Sequence, residues 1–156
     1  MLPWDVRGGN SRDYAPAGLC TRAAARYAAL MGEIRVQVKL SNLAHPSRRA
    51  TAEMLVDTGA TRVSLPSGLV RRLGLKKVAE AHVEYADGRK ARVPVVAPLK
   101  IAIDGRVAVS DAVRAPARTE PLLGLLALEA LDLVPDPTTR RLKPKHPGKW
   151  PRMMLK

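Results

Sequence analysis

The residue best placed to do chemistry is Asp57, which ends an apolar run, Met54-Leu55-Val56, and is followed at once by Thr58-Gly59-Ala60. An ionisable carboxyl directly behind buried β-type residues must be there for a reason. One reason is local: Asp suits tight turns, and Gly59 opens backbone angles closed to other residues. The other is chemical, because a carboxylate fixed at the end of a rigid apolar element is placed to take or give a proton. The tetrapeptide alone does not separate the two.

Other groupings offer less. His45, His82 and His146 fall in separate segments without ligand-like spacing, so they are expected to be ordinary loop or strand residues and no metal is expected. No Ser, His and Asp stand together in a nucleophile context, Cys20 lies outside the expected core, and Gly8-Gly9 is not a phosphate loop. Too few aromatics interleave the basic residues to form a platform for stacking bases.

The elements that must position Asp57 are short strands. From about Met31 the chain alternates, Ile34, Val36, Val38 and Leu40 against Arg35, Gln37, Lys39 and Ser41, which is the period of a half-buried strand. Residues 42–47 form a loop, and 50–56 a second strand that delivers the chain to Asp57. A short strand over 62–65 follows. A helix of about two turns then opens at Pro66-Ser67, with Ser67 as the expected cap, Gly74 as the stop, and Leu69, Val70 and Leu73 inward.

Alternation resumes over 81–85, turns at Asp87-Gly88 and returns through Ala91, Val93 and Val95. A further hairpin runs from Leu99, Ile101 and Ile103 through Asp104-Gly105 to Val107 and Val109. Residues 114–121, with Pro116 and Pro121, form a loop into Leu122-Leu123-Gly124. A short amphipathic helix over 125–131, a proline-containing turn over 134–139 and a last strand over 140–143 complete the pattern. Many short strands, Gly-containing turns and two short helices predict a small, mostly β barrel or sandwich.

Composition sets the bounds. The chain has 156 residues, enough for one ordinary domain with tails. It is 46% hydrophobic and 26% charged, which is globular rather than disordered, and with no Phe its core must come from Leu, Val, Ile and Ala. The single cysteine demands no oxidising compartment, so cytoplasm is expected. The most apolar stretch, 122–134, is interrupted by Glu129 and Asp132 and is too short for a membrane span. Residues 1–30 are expected to be a poorly ordered N-terminal extension, 31–144 the domain, and 145–156 a basic C-terminal tail. The formal charge is +13, densest after residue 134. Nucleic acid could be drawn to the basic tail, but a solvated, solubilising tail is favoured.

The run Met54-Leu55-Val56-Asp57-Thr58-Gly59-Ala60-Thr61, with Leu65-Pro66 after it and Leu122-Leu123-Gly124 further on, resembles the retropepsin-like aspartic proteases. The Ala86-Asp87-Gly88 turn lies between them as in that family, and Met31-Gly32-Glu33-Ile34 looks like the start of its short bacterial members. The resemblance spans about 31–144 and implies a small closed β-barrel of the retropepsin (acid protease) type with one or two short helices. It implies an aspartic endopeptidase, a hydrolase that needs no cofactor and acts on polypeptide.

In that chemistry one carboxyl takes a proton from water while another gives one to the amide, so two must sit side by side. No second Asp-Thr/Ser-Gly occurs here: Asp87 and Asp104 lie in Asp-Gly turns, and Asp111 and Asp132 lack the following Thr-Gly. The resemblance therefore implies a homodimer with Asp57 catalytic in each subunit. It further implies that Thr58 braces the two loops across the axis, Gly59 lets the backbone reach the carboxylate, and Ala60 keeps the loop floor small. Ala86, Asp87 and Gly88 would form the flap over substrate, and Leu122, Leu123 and Gly124 would support the catalytic loop. Two departures stand out: the flap is poorer in glycine than in viral members, and Leu125 stands where they carry Arg. The alternative is a non-catalytic module of the same fold that binds peptide or nucleic acid.

Overall fold

The computed structural model describes residues 32–84 and 87–148. The chain divides into two units, Met1–Gly32 and Glu33–Lys156, and the fold is that of the second. Its order is β1 (Arg35–Asn42), β2 (Arg49–Val56), β3 (Val63–Pro66), α1 (Ser67–Leu73), β4 (Lys76–Glu84), β5 (Lys90–Ile103), β6 (Arg106–Ala115), β7 (Leu122–Leu123), α2 (Leu125–Ala130), β8 (Leu133–Asp136) and β9 (Arg141–Pro144). The described residues are mostly β, with two short helices among them, as the alternation predicts.

Seven strands form one sheet in the order β1-β2-β7-β3-β6-β5-β4, and a further pairing of β1 with β5 closes it on itself. β8 and β9 make a separate ribbon. Closure leaves β4 as the strand outside the ring, joined only to β5. Inward positions of the ring strands and the two helices meet in one core that includes Val38, Leu40, Met54, Leu65, Leu73, Leu99, Ile101, Leu123, Leu128 and Leu131, while β4 contributes none. Each fully buried Leu stabilises the fold by roughly 2 kcal/mol. The aliphatic core expected from the lack of Phe is the one observed, with Met54 added.

Three local expectations need correction. Ser67 is the first residue of α1, not its cap: Pro66 occupies that position in an extended conformation and no side chain caps the helix. Pro66 tolerates the place because a helix start leaves N–H groups unpaired anyway. At the other end Gly74 does stop the helix, with φ of 63°, and Asn42 Nδ2 donates to the carbonyls of Leu73 and Gly74 at 3.0 and 3.1 Å. Residues 91–95 and 99–103, read as arms of two different hairpins, are one continuous strand, β5. The register against β6 slips between Val96 and Leu99, so Pro98, which has no N–H to donate, sits in the irregularity and does not end the strand. The third correction is that residues 134–136, part of the expected 134–139 turn, belong to β8, whose partner β9 overlaps the predicted last strand.

The structure also contains a buried charge network that periodicity does not show. Arg106 and Asp132 are 6% and 4% exposed. Arg106 donates to Asp132 Oδ2 at 3.2 Å, to the Leu131 carbonyl at 3.0 Å and to the Gly148 carbonyl at 3.0 Å. His146 Nδ1–H donates to Asp132 Oδ1 at 2.6 Å, and the Lys145 N–H donates to the Asp132 carbonyl. The His146 hydrogen bond, opposed by the desolvation of the carboxyl and aided by Arg106, holds Asp132 below its ordinary pKa of 3.8.

A carboxyl shifted down in the folded state stabilises fully above its ordinary value, and that contribution is lost as pH falls through the lower folded value. Wild-type protein should therefore lose thermal stability between pH 5 and pH 2. Asp132→Asn should start lower at neutral pH, since Arg106 is left buried without its anion, and should lose less on acidification. Parallel melting curves for the two proteins across that range would show that Asp132 is not the group responsible.

Candidate active site

Asp57 stands at the C-terminal end of β2, half-buried, where the chain leaves the sheet. β2 and β3 are not hydrogen-bonded to each other: β7 lies between them, parallel to β2 through Leu55–Leu122 and Val56–Leu123 and antiparallel to β3 through Ser64–Leu122. The loop over 57–62 is thus slung between two strands that the distant Leu122-Leu123 pair joins. The Asp57 N–H donates to the Leu123 carbonyl at 3.1 Å, anchoring the backbone of the acid itself.

Within the loop the Gly59 N–H donates to Asp57 Oδ1 at 2.9 Å, and the Ala60 N–H donates to the Asp57 carbonyl at 3.2 Å. A side chain on Gly59 would bring its Cβ to 3.2 Å from the same carboxylate oxygen, so glycine keeps that approach unhindered. Thr58 is exposed, and among the described residues no partner within the chain engages its hydroxyl. Ala60 is half-buried.

Gly124 fixes the far side of the loop. The first N–H groups of α2, on Leu125 and Leu126, donate to the carbonyls of Ala60 and Thr61 at 2.8 and 3.1 Å. A helix start needs acceptors for such groups, and the loop supplies them. The close approach leaves no room at Gly124: a Cβ there would collide with the carbonyl of Arg62 and come within 2.8 Å of that of Ala60. The structure brings Asp57, Gly59, Ala60, Leu122, Leu123 and Gly124 into one hydrogen-bonded unit.

The residues expected to form the flap lie elsewhere. Asp87 and Gly88 are exposed near the tip of the β4–β5 hairpin, with Gly88 at φ of 80°, and Asp87 accepts hydrogen bonds from the Arg89 N–H at 3.1 Å and Nε at 2.6 Å. Ala86 lies outside the described residues, as do the 1–30 extension and the end of the basic tail beyond Gly148.

Sequence reasoning passed over Arg62, whose guanidinium pairs with Asp111 of β6 and so ties the end of the loop to a third strand. Adjacency of β3 to β6 is the signal that would have found it, and only topology supplies that. Among the described residues no three His, Cys, Asp or Glu side chains gather as metal ligands, and no helix is long and apolar enough to cross a membrane.

Residues 48–130 match the family described as "gag-polyprotein putative aspartyl protease". No curated protein matches the sequence. Among solved structures, EIAV protease in complex with the inhibitor HBY-793 is similar at 19% identity and a TM-score of 0.49, over 64% of this chain and 88% of that one. The family match covers just over half of the chain and includes β2, the Asp57 loop and Leu122-Leu123-Gly124, so the chain belongs to the gag-polyprotein aspartyl proteases, a family of retropepsin-like aspartic proteases.

Proposed function

We propose that the protein is an aspartic endopeptidase that works as a homodimer, with the two Asp57 carboxyls meeting across a two-fold axis. The observation that carries this is the Asp57 loop: one half-buried acid per chain, anchored by the Leu123 carbonyl and the Gly59 N–H, with its second oxygen unengaged among the described residues. A single fixed carboxylate cannot act as base and acid at once. Two of them at close range hold one proton between them, because both cannot ionise side by side.

The ionised partner then removes a proton from a water molecule as that water attacks the amide carbonyl carbon, and the protonated partner gives its proton to the carbonyl oxygen. Collapse of the resulting diol, with proton return to nitrogen, breaks the C–N bond. Thr58, exposed and with no side-chain partner among the described residues, bonds across the axis and braces the paired loops. Leu122, Leu123 and Gly124 hold each loop from behind, and Ala86, Asp87 and Gly88 cover the substrate. The start at Met31-Gly32-Glu33-Ile34 supports placement with the short bacterial members, and the lone cysteine supports work in the cytoplasm.

Purified full-length protein should cleave an unstructured polypeptide in a pepstatin-sensitive way, and its activity per chain should fall on dilution as the dimer dissociates. Cleavage that is indifferent to pepstatin and undiminished at concentrations where sedimentation shows only single chains would reject both the chemistry and the assembly.

A further inference from the structure

The outer face of the ring, at the opposite end of β2 from Asp57, carries a concentration of unneutralised positive charge that the proposed catalysis does not use. Residues directly opposite one another on antiparallel strands share a face. Ser41 of β1 pairs with Arg49 of β2 on one side and Lys100 of β5 on the other, while Lys39 pairs with Thr51 and Ala102. Arg49 and Lys100 therefore flank Ser41, about 10 Å apart across three strands, and Lys39 projects from the same face about 7 Å along β1.

All three are exposed. The other cations of the sheet are mostly answered by acids: Arg35 by Glu33 and Glu120, Arg62 by Asp111, Lys77 and Arg92 by Glu80, and Lys90 by Glu84. No ion pair among the described residues engages Lys39, Arg49 or Lys100. The nearest acid in register is Glu53, opposite Gln37 one step further along β1. Beyond Gln37 the face runs into a cavity of about 200 Å³ lined by Arg35, Arg140 and Arg141 as well as Asp104.

We propose that this face binds the phosphate backbone of nucleic acid, without regard to base sequence. β1 and β5 are paired on both sides at these positions, while β2 meets β7 only at Leu55 and Val56, so an extended peptide could join only the far edge of β2, beside the three cations and not across them. What the face offers is side-chain cations on a flat surface, which is the chemistry of phosphate contact. Contacts made to phosphate alone carry no base information, hence the indifference to sequence.

The test uses the full chain and a labelled single-stranded RNA oligonucleotide, with the dissociation constant measured against salt concentration. Replacing Lys39, Arg49 and Lys100 together by Gln should weaken binding about a hundredfold at 0.1 M salt and make the slope of log K against log salt shallower by about 2, as the loss of three counterion-releasing contacts requires. Two RNAs of unrelated sequence should bind equally. A second variant, Lys149, Arg152 and Lys156 all to Gln, makes the same change in net charge in the C-terminal tail and should have much the smaller effect. Equal or greater loss from the tail variant, an unchanged slope in the sheet variant, or tighter binding of polyglutamate than of RNA would overturn the proposal. Unaltered melting temperatures establish that both variants are folded.

Discussion

Asp57→Asn should abolish peptide cleavage, lowering the rate by about a thousandfold or more, while leaving the melting temperature close to that of the wild type. The loss follows because an amide neither takes a proton from water nor supplies one to a carbonyl oxygen, and general acid–base steps contribute on the order of 10² to 10⁴ in rate. The fold should survive because Asn keeps an oxygen where Asp57 Oδ1 accepts the Gly59 N–H, and the backbone bond from residue 57 to Leu123 does not involve the side chain. The variant also reports on assembly. Mixed with wild type in equal amounts and allowed to exchange, random pairing leaves roughly a quarter of the dimers with two acids, so activity should fall to about a quarter of that of an undiluted wild-type sample. A fall to only half would mean that each chain works alone with its own Asp57.

The strands around Asp57 were legible because their inward and outward residues alternate, and the loop itself because an acid interrupts an apolar run. What periodicity could not supply was the insertion of Leu122-Leu123 between β2 and β3, since a two-residue strand has no period and its partners lie far away in sequence. Only the resemblance to a family pointed there. The network of buried Arg106 and Asp132 with half-exposed His146 was missed for a related reason. Each member is an ordinary polar residue in its own segment, Asp132 reading only as an interruption that argued against a membrane span, and only tertiary contact turns the three into a network. The two alternating runs 91–95 and 99–103 misled in the opposite direction, reading as arms of separate hairpins where β5 carries on across a slip in register. The basic outer face is likewise invisible along the chain, since Lys39, Arg49 and Lys100 become neighbours only through strand register.

Gly124→Ala should be a severely damaging single-methyl change, costing about 3 kcal/mol, the upper end of what overpacking imposes, and lowering the melting temperature by roughly 10 °C. Gly124 is fully enclosed, and the added carbon would overlap the Arg62 carbonyl while pressing on that of Ala60. Both obstacles are backbone, so no side chain can swing aside to relieve them. The chain must instead open the gap between the 57–62 loop and the start of α2, stretching the bonds from the Leu125 and Leu126 N–H groups to the Ala60 and Thr61 carbonyls. That displacement moves the segment that carries Asp57, so cleavage should fall by more than the loss of folded protein explains. Gly68→Ala is the matched control, because nothing lies within 4 Å of a Cβ at that helical position and alanine favours the helix. Comparable melting temperatures and activities for the two variants would mean that the Leu122-Leu123-Gly124 segment does not support the catalytic loop.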